Sequence, residues 1–212
     1  MSEHIALGTA VLRAHGLEGC EIALGGYIAQ QRWAGAHGRT IATVEIVDIA
    51  VISAAAPVLL HALAAVTYTD GLTTRYALPL GIRSRGDPLA ERAPDFVIPM
   101  PANAGVVLYD AVGDPAYIAW LMAAIGDQRV LPTSSGEMRC SSPDPAALHT
   151  GSLSSVRHLR VEQSNTSVEV GDAIFLKHLR RVEPGPSQEL EMSDGLDAAG
   201  CTHLAPMPGR DV

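Results

Sequence analysis

The Asp70-Gly71 pair at the centre of VTYTDGLTTRYALPL constrains the fold of this chain more than any other feature. Val66 and Tyr68 alternate with threonines before the pair, and Tyr76 resumes the alternation after it. Alternation with a period of two is typical of a half-buried strand, and Asp-Gly tolerates the positive φ angles that a tight turn needs. The sequence therefore predicts a β-hairpin, and with it an antiparallel sheet.

Other segments of the first half extend this sheet and add a helix. Residues 40–52 are rich in Val, Ile and Thr and predict a strand that is buried on both faces. Residues 106–109 predict a short strand, whereas the prolines of 81–104 predict a long loop. Asp114 before Pro115 is typical of a helix N-terminus. The apolar face predicted for that helix comprises Tyr117, Ile118, Leu121, Met122 and Ile125, with Trp120 at its edge.

The second half predicts a loop, three strands and a helix. Residues 132–155 are dense in Ser, Thr, Pro and Gly, which indicates a loop or a domain boundary. Strands are predicted over 156–161, 167–170 and 173–179, and a helix over 187–199. Aromatic residues make up only 4% of the chain, so the core must consist mostly of small and branched aliphatic side chains. This composition favours layered α+β packing.

Composition and charge exclude several classes of protein. The net charge is −8 and no cluster of Lys and Arg is present, so a nucleic-acid binder is not expected. The N-terminus has no signal-peptide pattern, which predicts a cytoplasmic location. The longest apolar run, 46–60, is interrupted by Asp48 and is too short to span a bilayer. The thiols lack metal or redox spacing and are predicted to be ordinary; they are Cys20, Cys140 and Cys201.

The chain has one lysine, Lys177, against fourteen arginines. It follows a short polar segment and precedes Glu191 on the predicted helix. A loop that covers phosphates, a strand lysine that grips them and a helix carboxylate that orients the lysine are the layout of a kinase N-lobe. The alternative is a structural ion pair between Lys177 and Glu191. The candidate nucleotide-binding residues are Ser164, Asn165, Thr166, Ser167, Lys177 and Glu191.

The segment EQSNTSVEVGDAIFLKHLRRVEPG resembles the nucleotide-binding start of actinobacterial maltokinases, relatives of the aminoglycoside phosphotransferases. QQRWAGAHGRTIATVEIVD resembles the strand entry of the maltokinase N-terminal cap, and VTYTDGLTTRYALPLGI and YDAVGDPAYIAWLM resemble its later hairpin and helix. The resemblance covers about Gly26 to Gly209. It implies an α+β fold in which a cystatin-like, antiparallel-sheet cap precedes a truncated kinase-like N-lobe. The implied domains are a cap at 1–133, a linker or strand-containing loop at 134–155 and a partial N-lobe at 156–212.

The chain also departs from this family. Ala34, Ala36 and His37 stand where the family commonly has Phe, Gly and Lys. None of the eight histidines is followed two positions later by Asp, so the His-x-Asp catalytic motif is missing and no catalytic residue is predicted. The resemblance implies ATP with Mg²⁺ as candidate cofactors, although none is predicted from the residues alone. The sequence stops about where further N-lobe strands would follow, which implies an open sheet edge along 173–179. Such an edge predicts a homo-oligomer or docking of a second protein.

Three functions remain open at this point. The first is a stand-alone maltokinase-cap-like protein that acts as a non-catalytic binding or regulatory module, as a pseudokinase would. The second is one half of a split sugar kinase, to which a partner chain supplies the catalytic base and the metal ligands. The third is a small-molecule enzyme that reuses the cap scaffold. Its pocket would use strand residues whose alternative role is structural: Asp48, Tyr68, Arg75, Tyr76 and Tyr109.

The remaining polar and aromatic side chains predict structural roles. Arg180 and Arg181 are expected to be solvated charges at the end of a strand. Trp33 is expected to anchor the cap to its sheet, and a role in stacking on a sugar is the less favoured alternative. No metal site is predicted, because the clustered histidines lack ligand spacing on a shared helix face. They are His149, His158, His178 and His203.

Overall fold

The computed structural model describes residues 3–35, 38–101, 105–142, 155–159, 165–171, 174–185, 187, 191–192, 195–196 and 210–211. This part of the chain is α+β, with antiparallel sheets. Its helices are α1 (Glu3–Ala14), α2 (Glu21–Gln30), α3 (Leu89–Arg92) and α4 (Pro115–Gly126). Its strands are β1 (Ile41–Ser53), β2 (Val58–Tyr68), β3 (Thr73–Ser84), β4 (Val97–Ile98), β5 (Val106–Asp110), β6 (Val130–Pro132), β7 (Glu137–Ser141), β8 (Val156–Leu159), β9 (Asn165–Val170), β10 (Ile174–Leu179), β11 (Arg181–Val182) and β12 (Arg210–Asp211).

The largest sheet, here called the main sheet, has the strand order β1-β2-β3-β5-β4. The predicted hairpin is confirmed, because β2 pairs antiparallel with β3 and Thr67 faces Thr73. Gly71 adopts a φ of 84° in the connecting loop, where a side chain would be strained. The Asp70 carboxylate accepts a hydrogen bond from the Leu72 amide, so both residues of the Asp-Gly pair shape the turn.

One face of the main sheet packs against α1 and α2. In α2 the buried side chains are Leu24, Tyr27 and Ile28, which share one side of the helix because they are three and four residues apart. On the sheet, Leu60, Ala62, Ala64 and Val66 of β2 belong to the same core cluster. Alternate side chains of β2 therefore pack with side chains that are three and four residues apart on α2 in one apolar layer.

The opposite face of the main sheet packs against α4 and strands from the second half. The Asp114 carboxylate accepts a hydrogen bond from the Ala116 amide, which confirms the predicted helix start. The predicted apolar face of α4 is buried throughout. Met138 of β7 and Val168 and Val170 of β9 belong to the same core cluster as α4. Side chains from both ends of the chain therefore share one core, and the domain boundaries given above stay a prediction.

The outer edge of β3 is shared by two strands that are far apart in sequence. Leu80 through Ser84 pair with β5, whereas Tyr76 and Arg75 pair with β11. Between these stretches the Ala77 amide donates a hydrogen bond of 2.8 Å to the Arg180 carbonyl oxygen. A segment near residue 180 therefore completes a sheet that begins at residue 41.

Two predictions about the first 142 residues are wrong. β1 is not buried on both faces, because it lies at the edge of the main sheet and side chains such as Glu45 and Val47 are exposed. The loop predicted over 81–104 contains the end of β3, α3 and β4. Within 134–155, the predicted linker or strand-containing loop, β7 is a strand in which Met138 and Cys140 alternate with more exposed residues. Residues 143–154 lie outside the described residues.

The strands predicted in the second half are confirmed as a three-stranded antiparallel sheet of order β10-β9-β8. The helix predicted over 187–199 lies largely outside the described residues. A third small sheet has the order β12-β7-β6. In the described part of the chain, no helix combines the length and the apolar character that crossing a bilayer would require.

Candidate functional site

Four of the residues predicted to bind a nucleotide lie on the β8–β10 sheet, whereas Glu191 lies in a helical turn outside it. Asn165, Thr166 and Ser167 belong to β9, so the polar segment before Lys177 is part of a strand and not a loop that covers phosphates. All three residues pair with residues of β10, and Ser167 has no exposed surface. Ser164 lies outside the described residues.

Lys177 is exposed on β10 and stands directly opposite Ser167 in the strand register. Cross-strand partners project from the same face of a sheet, so an anion that reached Lys177 would approach this face. Glu191 is also exposed, and its amide donates a hydrogen bond to the Ser187 carbonyl oxygen, as at the start of a helical turn.

Arg180 is the largest fully buried side chain of the described residues, so its prediction as a solvated charge is wrong. Its Nε donates a hydrogen bond of 2.9 Å to Thr166 Oγ1. Its Nη2 lies 2.8 Å from Asp110 Oδ2, at an angle that suits an ion pair better than a hydrogen bond. The guanidinium carbon lies 4.8 Å from the ring centroid of Trp33. These partners compensate the desolvation of the charge.

Asp110, at the end of β5, connects Arg180 to the helix layer. Its Oδ2 accepts a hydrogen bond of 3.0 Å from the Tyr27 hydroxyl of α2, and its Oδ1 accepts one of 3.2 Å from the Val112 amide. Burial, followed by the charge of Asp110, raises the pKa of Tyr27, which therefore stays a hydrogen-bond donor. We call Arg180, Asp110, Thr166, Trp33 and Tyr27 the Arg180 cluster.

Two histidines lie beside this cluster, on the face of the β8–β10 sheet that carries Thr166. His178 is buried, and its ring centroid lies 6.1 Å from that of His61 of β2 in an edge-to-face arrangement. Burial, followed by the charge of Arg180, holds the pKa of His178 well below its usual range. Burial also lowers the pKa of His158.

No group of three His, Cys, Asp or Glu side chains with the geometry of a metal site occurs in the part of the chain that the structure describes. His149 and His203 lie outside that part.

The polar residues proposed for a repurposed pocket do not converge where the structure describes them. The Tyr68 and Tyr76 hydroxyls lie 2.9 Å apart, and Tyr76 donates to the Ala34 carbonyl oxygen in the core below α2. Tyr109 belongs to the core cluster on the other face and donates a hydrogen bond of 2.6 Å to Asp114 Oδ2. Arg75 is exposed. These contacts support structural roles.

Trp33 is buried and packs against the Tyr76 ring at 5.5 Å between centroids, as expected for an anchor of the cap. Arg181 is exposed, as predicted, and forms an ion pair of 2.8 Å with Glu183. Cys20 is buried with a free thiol, and burial raises its pKa to about 11, as expected for an ordinary thiol.

Asp48 of β1 forms hydrogen bonds with the turn between β6 and β7. Its carboxylate accepts hydrogen bonds of 2.7 Å from the Thr133 hydroxyl and 2.9 Å from the Ser135 amide. Burial acts to raise the pKa of Asp48, but these hydrogen bonds outweigh it and hold the pKa below its usual value.

Residues 27–114 match the protein family described as the maltokinase N-terminal cap domain. The matched segment runs from α2 through β1, β2, β3 and β5 to the residue that caps α4. It contains Tyr27, Trp33 and Asp110 of the Arg180 cluster, while Thr166 and Arg180 lie beyond it.

Proposed function

Because the chain carries a maltokinase N-terminal cap-like domain, we propose that it acts as a non-catalytic binding or regulatory module. The observation that carries the proposal is the internal pairing of the polar groups on the cap strands. Tyr68 and Tyr76 bond to each other, Tyr109 bonds to Asp114, and Asp48 bonds to the β6–β7 turn. Groups that are committed to internal contacts hold a scaffold together and are not free to act on a substrate.

The proposed binding element is the edge of β10. Within the described residues, β10 has a strand neighbour only on its β9 side. Its Phe175 side chain is 55% exposed, and Lys177 is exposed beside it. An open edge presents backbone amide and carbonyl groups that can pair with another strand. The proposed partner is therefore a protein chain, either a second copy of this one or a different protein.

Hydrogen exchange and molar mass test this element together. We expect the outward amides of 174–179 to be protected at high protein concentration, with a molar mass above that of the monomer. Phe175→Glu should lower the mass, whereas Leu72→Glu, at an exposed leucine of the hairpin loop, should not. The proposal would be contradicted if the protein stays monomeric, binds no other protein chain and leaves the amides of 174–179 unprotected.

Half of a split sugar kinase is the second candidate, and the strand order favours it. β8, β9 and β10 form a consecutive antiparallel meander with Lys177 on the third strand, as in a kinase N-lobe. Lys177 is exposed and fits an anionic group such as a phosphate. Asn165 and Ser167 fit less well, because both are too buried to touch a ligand.

Calorimetry with ATP and Mg²⁺ separates the two candidates. The test compares the wild type with Lys177→Ala and with Arg181→Ala, an exposed cation on the next strand. Binding that only Lys177→Ala abolishes would favour the split kinase. Absence of binding in all three proteins would favour the non-catalytic module. Phosphate transfer to a sugar by the purified chain alone would overturn the non-catalytic proposal.

A further inference from the structure

The corner between β10 and β11, residues 178–182, inserts two basic side chains into the protein. His178 and Arg180 are 6% and 0% exposed, respectively. They are two residues apart at the end of an edge strand, where solvent exposure would be the ordinary arrangement. This corner is the point at which the β8–β10 sheet is joined to the main sheet.

The corner is attached to the outer edge of β3 by its backbone and by one ring. The Ala77 amide donates a hydrogen bond to the Arg180 carbonyl oxygen, and Arg181 pairs with Tyr76 in the strand register. The His178 ring also forms a hydrogen bond with the backbone of Ala77. The backbone of Ala77 thus forms hydrogen bonds with both buried residues of the corner, His178 and Arg180.

The charged and titratable groups near His178 lie on several different elements of the fold. The positive charge of Arg180 acts on His178, and Asp110 is already engaged by Arg180 and by the Tyr27 hydroxyl. His61 of β2 faces the ring, with the Tyr117 hydroxyl of α4 lying 3.4 Å from its Nδ1. His158 of β8 lies on the same face of the small sheet.

The second ring nitrogen of His178 cannot be satisfied once it carries a proton. Nε2 is buried and has no hydrogen-bond partner among the described residues. A neutral ring leaves an acceptor unpaired there, whereas a protonated ring places an unpaired donor and a second positive charge beside Arg180. A buried cation without an acceptor is much more costly than a neutral ring.

We propose that the corner is an acid-sensitive latch, in which protonation of His178 releases residues 178–182 from the edge of β3. Release gives His178 and Arg180 access to water and separates Arg180 from Trp33. The main sheet stays folded together with α1 and α2, because their shared core cluster contains no residue of the corner. The pairing of β11 with β3 therefore depends on pH, whereas the folding of the main sheet does not.

The direction of the dependence follows from linkage. The pKa of docked His178 lies below its ordinary value of 6.5, whereas the released ring titrates near that value. The released form therefore binds more protons below about pH 6.5, and docking weakens as the pH falls through this range. One proton weakens docking up to tenfold per pH unit.

The experiment is hydrogen exchange by NMR on the whole chain, corrected for the intrinsic pH dependence of exchange. The Ala77 amide reports the latch, and the Val66 amide on β2, a strand with β1 and β3 on its two sides, reports global unfolding. We expect the protection of Ala77 to fall up to tenfold per pH unit below about pH 6.5, while that of Val66 stays constant. His178→Gln, which cannot titrate, should abolish the fall, and His158→Gln should leave it.

Three results would overturn the latch. These are constant protection of Ala77 in the wild type, equal loss of protection at Ala77 and Val66, and an unchanged fall in His178→Gln. Trp33 fluorescence in a Trp120→Phe background provides an independent measurement on protein with an intact His178. Its spectrum should shift with the same pH midpoint as Ala77 exchange, and a constant spectrum would contradict the release of Arg180 from Trp33.

Discussion

Replacing Arg180 by methionine would leave the Asp110 carboxylate buried without its cation. Asp110 is 1% exposed, and Arg180 Nη2 lies 2.8 Å from it. Methionine retains an apolar chain that can pack on Trp33, so the substitution removes the charge with little change in volume. We expect Arg180→Met to destabilise the protein more than any substitution of an exposed arginine.

The structure sets the size of the effect. With charge centres about 4 Å apart and an effective dielectric of about 20, the attraction is about 4 kcal/mol. Removing one partner of a buried pair costs about 3–5 kcal/mol in proteins. Loss of the contact between the guanidinium and Trp33 adds about 0.5–2 kcal/mol. Asp110 keeps its bonds from Tyr27 and Val112, which offset part of the loss. We therefore expect a loss of about 3–5 kcal/mol.

Urea unfolding followed by circular dichroism measures the loss, and two further variants interpret it. Arg181→Met, at the exposed neighbour, should change the free energy of unfolding by less than about 0.5 kcal/mol. Arg180→Met combined with Asp110→Asn removes the orphaned charge, so it should be more stable than Arg180→Met alone. A double variant that is no more stable than Arg180→Met alone would refute this account of the ion pair.

Three further predictions concern other parts of the fold. Gly81→Ala would place a carbon 2.1 Å from the Tyr109 ring, so we expect a loss of about 1–3 kcal/mol in urea unfolding. Gly26→Ala, in an open position of α2, should instead gain about 0.5–1 kcal/mol, and equal effects would contradict both expectations. Cys20 should resist a disulfide reagent at pH 8 until urea unfolds the protein, as followed by peptide mass spectrometry; rapid labelling of the native thiol would contradict its burial. The lowered pKa of Asp48 contributes stability above the ordinary value of 3.8 that is lost as the pH falls below it. Asp48→Asn should therefore flatten the acid limb of the stability curve, and an unchanged limb would contradict the assignment.

Features with local causes could be predicted from the sequence. The hairpin follows from the glycine that accepts positive φ between two alternating segments, and α4 follows from a capping Asp114 before Pro115. In both cases the residues that cause the structure are adjacent in the chain. The strands of the second half were predictable for the same reason, since their alternation is visible within six residues.

Features set by distant partners could not be predicted. The sequence around Arg180 and Arg181 is that of any charged strand end, and the difference between them arises from Asp110, seventy residues upstream. The exposure of β1 depends on its place at the edge of the main sheet, which its own Val and Ile residues do not encode. The position of β7 within 134–155 was not predicted, because a polar composition hides the buried alternation of Met138 and Cys140.

The edge of β3 that is shared by β5 and β11 has a consequence for synthesis of the chain. Tyr76 pairs with Arg181, so part of this edge must wait while about a hundred further residues are translated. At about 5–20 residues per second, the wait is about 5–20 seconds. During that time β3 is paired with β2 along one edge, while part of its other edge exposes unpaired backbone groups. A chaperone or a neighbouring nascent chain can bind to these groups. Among the described strands, β11 is the last of the main sheet in sequence, so its pairing ends the period in which this part of the β3 edge is open.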